Sequence, residues 1–163
     1  MIEFDKYHYL YNADAHFKAQ ERFPDGYFSL LLQGDKDSFD TIAWFLAELS
    51  LQGELVRRYM GEDRGEYLTE EKARHLLTIK QMPEALKIVV NAIKDGLEIE
   101  ADEDEEVDEV LMELQKKNKD NFNRAKYLNL ALSLGMNVRE ALLLSVREVL
   151  EISEARNSRN KRK

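Results

Sequence analysis

Apolar residues recur at helical spacing over the longest patterned stretch of the chain, residues 39–59. They lie three and four positions apart, as in a helix that buries one side, and Ser38 precedes them as an N-cap. Gly53 interrupts the stretch, and we expect a bend or a division of the helix there. The pattern predicts a long helix with a buried stripe.

Shorter apolar stripes predict further helices before and after this one. In chain order, the first begins after the N-cap Asn12 and the second covers residues 27–32. The third runs from the N-cap Thr69 to about Lys80, and the fourth extends from Pro83 to Gly96. Residues 2–4 and 7–11 are instead rich in aromatic and β-branched side chains, and they predict a short N-terminal β-hairpin. We therefore expect a mainly α fold, a small helical domain with a short N-terminal β-hairpin.

Residues 98–109 are acidic at nine of twelve positions. Carboxylates at this density repel one another, and such a composition is typical of a solvated segment. Its end overlaps an apolar repeat from Val107 to Leu114, which predicts an amphipathic helix that finishes at Lys117. The polar residues 118–121 are the best candidate for a linker.

A C-terminal helical extension is predicted beyond this linker. Its helices cover residues 122–134 and 138–156 and are separated by Gly135, with Asn137 as the N-cap of the second. A capping-box spacing at Ser145 and Glu148 allows a break in this second helix. The chain thus divides into three parts: an acidic helical domain over residues 1–117, a helical extension over 118–156 and a disordered basic tail over 157–163.

The composition excludes several classes of protein. Seven glycines and two prolines in 163 residues are too few for the turns of sandwiches and barrels, and no cysteine is present for a disulfide or a thiolate site. No apolar run reaches the roughly 18 residues of a membrane span, and the first residues carry no basic signal region. We expect a cytosolic protein without a membrane partner.

The net charge of −8 is distributed unevenly. Residues 1–115 hold 12 basic and 27 acidic side chains, a net charge of −15, whereas residues 116–163 hold 12 basic and 5 acidic ones, a net charge of +7. The two parts therefore attract each other or serve different partners, and the acidic part would repel nucleic acid.

No motif predicts catalysis, a metal ion or a cofactor. His8, His16 and His75 lie far apart without metal-ligand spacing, and we expect each to be structural or on the surface. The acidic run lacks the central glycine of a calcium loop, and nothing supplies the apolar pocket that would tune a carboxylate pair. We predict no catalytic, cofactor-binding or metal-binding residues, and an enzyme is the weakest hypothesis.

The large aromatic side chains are expected in the core, because a small helical domain buries its bulkiest residues. These are Tyr7, Tyr9, Tyr11, Phe28, Trp44 and Phe45. An exposed subset of them would instead form a groove for another protein.

Residues 131–140 superficially resemble a helix-turn-helix, since a glycine turn joins two helices. The second helix mixes charged residues of both signs with leucines, whereas a recognition helix needs polar side chains for base edges and basic ones for phosphates. We expect a packing helix. The alternative is a small nucleic-acid-binding regulator that uses residues 122–163.

Several segments follow one another in an order that is found in a known family. They are the predicted short hairpin, Tyr11-Asn12-Ala13, Trp44-Phe45-Leu46, residues 52–59, residues 68–71, Met82-Pro83, the acidic run and residues 113–117. This order resembles the tail assembly chaperones of tailed bacteriophages and prophages of Gram-positive hosts. Residues 132–142 are similar to the second half of such chaperones, often made as a frameshift extension, although Ser145-Val146 replaces the family's usual Thr-Pro pair.

The resemblance implies a helical protein that binds the tape measure protein in the host bacterial cytoplasm. Through its extension, such a chaperone helps to recruit tail tube subunits, and it leaves before the virion is complete. The resemblance implies a role and not a reaction. We expect no cofactor and, given the charge of the acidic part, no nucleic acid partner, and the oligomeric state stays open. An amphipathic helical surface with a charged exterior suits reversible binding of apolar helices.

Overall fold

Helices make up almost all of the regular structure in the part of the chain that the computed structural model describes, residues 3–97 and 124–161. We number the α-helices in chain order: α1 (Ala13–Arg22), α2 (Phe28–Leu32), α3 (Lys36–Tyr59), α4 (Glu70–Leu76), α5 (Met82–Gly96), α6 (Arg124–Ser133), α7 (Val138–Leu143) and α8 (Val146–Lys161). Two 3-10 helices, Glu3–Lys6 and Ile79–Gln81, accompany them. The prediction of a mainly α fold is confirmed.

The predicted N-terminal β-hairpin is wrong. Within residues 3–97 and 124–161 there is no strand, and an irregular stretch, residues 7–12, follows the first 3-10 helix. We call this stretch the N-terminal segment. The physical reason is that it bonds to a helix instead of a second strand, since the Leu10 N–H donates to the Leu49 carbonyl of α3 at 3.1 Å. Tyr7 and Tyr11 are buried and His8 is exposed. The aromatic side chains that predicted a hairpin therefore pack an irregular segment against helices.

Two glycines let the N-terminal segment lie directly on α3 and α5. A Cβ atom at Gly53 would stand 1.9 Å from the His8 carbonyl oxygen, and one at Gly96 would stand 2.1 Å from the Tyr11 carbonyl oxygen. Side chains do not tolerate such distances, so only glycine allows these backbones to touch. Gly53 therefore marks a crossing point, and α3 runs through it without a division.

The larger of the two cores formed by the described residues lies around α3. Helices α2, α4 and α5 pack on α3, which buries Ile42, Phe45, Leu46 and Leu49 among them. The aromatic residues predicted for the core are found there: four are buried and two, Tyr9 and Trp44, pack half-buried against it. All of its described members precede the predicted linker.

A smaller core joins α1 to the three C-terminal helices. Its buried members are Ala13, Phe17, Tyr127, Ala131, Ala141 and Val149. The rings of Phe17 and Tyr127 have their centroids 5.2 Å apart, and the Tyr127 hydroxyl donates to the Ala141 carbonyl. The C-terminal helices thus complete their core with side chains from the first helix of the chain.

Most predicted helix caps are present. Asn12, Thr69, Asn137 and Ser145 each accept a hydrogen bond from the backbone N–H three residues further on. Helix α3 is the exception, because Asp35 caps it in place of Ser38. The predicted N-termini therefore lie within a few residues of the observed ones.

Helix α8 is longer than predicted. It continues to Lys161 instead of ending at Arg156, so residues 157–161 are helical where we expected disorder. The Arg156 guanidinium donates to the Ser133 carbonyl at the end of α6, which ties this part of α8 to the protein. The acidic run, the helix predicted at its end and the linker at 118–121 lie outside the described residues, as does the domain boundary after residue 117.

Candidate functional site

An open cleft lies where the N-terminal segment, the last turns of α3 and α5, and the connection between α7 and α8 meet. Its volume is about 360 Å³, toward the lower end of the range for ligand-binding pockets. Its lining includes Tyr9, Leu10, Val56 and Leu143, all half-buried. We call it the junction cleft, since both the acidic part and the C-terminal part of the chain supply its walls.

One wall of the junction cleft is shaped by a break in the chain at Leu144. The Ser145 hydroxyl accepts the Glu148 N–H at 3.1 Å and so starts α8, which confirms the break that the capping-box spacing allowed. The break leaves the Leu144 carbonyl free to accept the Ala13 N–H at 2.8 Å. Because that N–H is one of the unpaired donors at the start of α1, a single bond satisfies two helix ends and joins the two walls.

A second contact holds α7 against the end of α3. The Tyr59 hydroxyl donates to the Glu140 carboxylate at 3.1 Å, and this bond raises the pKa of the tyrosine. The Arg139 guanidinium carbon lies 5.8 Å from the centre of the Tyr59 ring. Two polar side chains of the helix-turn-helix-like stretch are therefore engaged within the protein.

The junction cleft is acidic. Asp95, near the end of α5, and Glu148, in the first turn of α8, both line it and are exposed. Among the described residues neither carboxylate pairs with a cation, and no described lysine, arginine or histidine lines the cleft. The cleft thus combines apolar walls with uncompensated negative charge.

A polar network fixes the start of α1 beneath this site. The Asn12 amide donates to the Gln52 side-chain oxygen at 2.9 Å, and the Gln52 amide donates to Asp14 at 2.7 Å and to Glu48 at 2.8 Å. The Lys18 ammonium lies 3.2 Å from the Asp14 carboxylate and 3.1 Å from that of Glu48. Since every member has a partner, the network holds α1 on α3 in one arrangement.

His16 lies where the two cores meet. Its Nδ1 is 2.7 Å from the Tyr11 hydroxyl oxygen. Its ring packs edge-on against that of Phe17, with the ring centroids 5.2 Å apart. Burial lowers the pKa of His16 to about 4, so the ring is neutral at pH 7. His8 and His75 are exposed. The described part of the chain holds no group of three acidic, histidine or cysteine side chains arranged for a metal ion.

A buried carboxylate, Glu54, belongs to a structural contact. It accepts hydrogen bonds from the Gly65 N–H, from Arg58 at 3.0 Å and from Arg57 at 2.8 Å. The Gly65 N–H and the two guanidinium groups lower the pKa of Glu54 and keep it ionised. This arrangement fastens the loop after α3 to the helix and leaves no proton to transfer at pH 7.

The comparisons with known proteins add no relative. No protein-family model, no curated protein and no solved structure matches the chain. No helix in residues 3–97 or 124–161 has the length and apolar character needed to cross a bilayer.

The sequence did not indicate the junction cleft. Its lining comes from four separate stretches, around residues 9–12, 56, 92–96 and 143–148, which no periodicity or motif connects. The sequence carried two partial signals. One was the capping-box spacing at Ser145 and Glu148, and the other was Tyr9, one of the aromatic residues that would form a groove for another protein if they were exposed. Tyr9 is half-buried and lines the cleft.

Proposed function

We propose that this chain is a non-enzymatic chaperone of phage tail assembly that binds the tape measure protein and helps to recruit tail tube subunits. The junction cleft is the observation that supports this function best, because both parts of the chain present half-buried apolar side chains there. A chaperone has to hold apolar client segments reversibly, and a small open apolar surface gives modest affinity. The segments that resemble known chaperones supply the identity of the clients.

The proposed place of action is the host bacterial cytoplasm, where the tail is built. The alternative, a nucleic-acid-binding regulator that uses residues 122–163, has less support. A recognition helix must offer its polar side chains to base edges, whereas Arg139 and Glu140 of α7 contact Tyr59. We therefore propose one function.

Co-purification tests the proposal. The tape measure protein from the same gene cluster is expressed with and without the tagged chain, and both its soluble yield and its recovery with the tag are measured. We expect the chain to raise the soluble yield and to retain the tape measure protein at micromolar concentration. The same experiment with the tail tube protein tests the second client.

Two matched variants show whether the junction cleft is the surface involved. Leu143→Ser removes an apolar side chain that lines the cleft and belongs to neither core. Ile79→Ser makes a similar change on a side chain that is 92% exposed and lies outside the cleft. We expect the first variant to lose tape measure protein and the second to retain it. No association of the parent chain with either client would refute the proposed function.

A further inference from the structure

We propose that the junction cleft takes an apolar segment of a client protein that carries a lysine or arginine side chain. This inference rests on the proposed function for the presence of a client protein, and it adds the chemistry by which the client is chosen. It is carried by two properties of the cleft, its apolar walls and its unpaired carboxylates.

The apolar walls are available to a partner. Leu10, Val56 and Leu143 are half-buried, and none of them belongs to the larger or the smaller core. Their exposed faces therefore gain from contact with apolar atoms of another chain. A volume of about 360 Å³ holds a few side chains and not a whole helix. The occupant is thus a short stretch of the client.

The carboxylates select the charge of this stretch. Asp95 and Glu148 line the cleft without a cationic partner among the described residues, and residues 1–115 carry a net charge of −15. A client acid would add a further negative charge and be repelled. Lysine and arginine have an apolar stem that packs along the walls and a positive end that reaches the carboxylates. They are the side chains that fit both properties.

Binding of designed peptides to the purified full-length chain tests this inference. A fluorescein-labelled peptide with leucines around a central arginine is titrated with the protein, and the fluorescence anisotropy is recorded. Matched peptides carry glutamine or glutamate in place of the arginine, and another carries serines in place of the leucines. Spermidine serves as a competitor that offers positive charge without leucine side chains.

Charge-neutral variants separate the cleft from the general acidity of the protein. The double variant Asp95→Asn and Glu148→Gln removes both carboxylates of the cleft. The control Asp25→Asn and Glu154→Gln removes the same charge from exposed positions outside it. Melting temperatures confirm that both variants fold before binding is measured.

We expect the arginine peptide to bind about fivefold to tenfold more tightly than the glutamine peptide, which is the effect of two partly exposed ion pairs. The cleft variant should lose this preference and the control should keep it. Equal binding of the arginine and glutamine peptides would overturn the inference. Equal loss in both variants, equal binding of the serine peptide, full competition by micromolar spermidine, or no peptide binding would also overturn it.

The failure of this inference is distinguishable from the failure of the proposed function. If the tape measure protein still associates with the chain while the arginine preference is absent, the inference fails alone. If the parent chain associates with neither the tape measure protein nor the tube protein, the proposed function fails whatever the peptides do.

Discussion

Replacing Gly53 with alanine tests the contact between the N-terminal segment and α3. The substitution adds one methyl group at a buried position in the middle of a helix. The new Cβ atom would stand 1.9 Å from the His8 carbonyl oxygen and 2.6 Å from its carbonyl carbon. An ordinary contact is longer by more than ~1 Å, so a backbone has to move.

Two effects of opposite sign determine how far Gly53→Ala changes the free energy of unfolding. Alanine is intrinsically better than glycine inside a helix by about 1 kcal/mol. Overpacking of a filled core typically costs about 1–3 kcal/mol, and a clash with backbone atoms belongs at the upper end because no flexible side chain can turn away. We expect a net loss of about 2 kcal/mol in the free energy of unfolding. In a chain of this length, this lowers the melting temperature by roughly 4–8 °C.

Thermal and urea unfolding, followed by circular dichroism, measure this loss. Gly61→Ala provides a comparison, since Gly61 has a positive φ of 86° and open space around it. Its cost should be about 1 kcal/mol of backbone strain without a clash. A Gly53→Ala variant as stable as the parent, or more stable, would show that helix propensity outweighs the contact and that His8 does not lie on α3.

Three further predictions concern the two cores. Burial lowers the pKa of His16 to about 4 in the folded protein, whereas a solvated histidine in the unfolded chain has a pKa of 6.5. Between pH 4 and pH 6.5 the unfolded chain therefore binds more protons than the folded protein. Stability should therefore fall by up to about 3 kcal/mol as the pH drops through this window. Urea titrations of His16→Gln should show a shallower fall, and an unchanged profile would contradict the assignment. Phe17→Ala should cost about 3–5 kcal/mol and make residues 124–161 the first site of limited proteolysis; cleavage elsewhere first would argue against the packing of Phe17 on Tyr127. A chain that ends at residue 117 should still melt cooperatively, because the larger core lies before that point, and a gradual melt would refute this.

The helices could be predicted because their signals are local. The Asn12, Thr69 and Asn137 caps each involve atoms three residues apart, and the α3 stripe repeats within one helix. The hairpin could not be judged in this way. Aromatic side chains such as Tyr7 and Tyr11 are buried both when an extended chain pairs with a strand and when it lies across helices. Only the tertiary contact with α3 distinguishes the two arrangements.

The junction cleft could not be predicted from the sequence for a related reason. Its walls meet through the bond between Ala13 and Leu144 and through the packing of Phe17 on Tyr127, which join distant positions in the chain. The break near Leu144 could be predicted, because the Ser145 cap involves only residues that are close in the sequence. The sequence could not show that the freed carbonyl would accept a bond from the first turn of α1.

The dependence of the smaller core on α1 has a consequence for synthesis on the ribosome. Ala13 and Phe17 are made well before the helices that cover them, which lie in residues 124–161. Domains generally fold as their residues emerge, so the nascent acidic part carries an uncovered apolar face until residues 124–161 have been made. During that interval the growing chain has the same need for protection from aggregation that we propose it later meets for its clients.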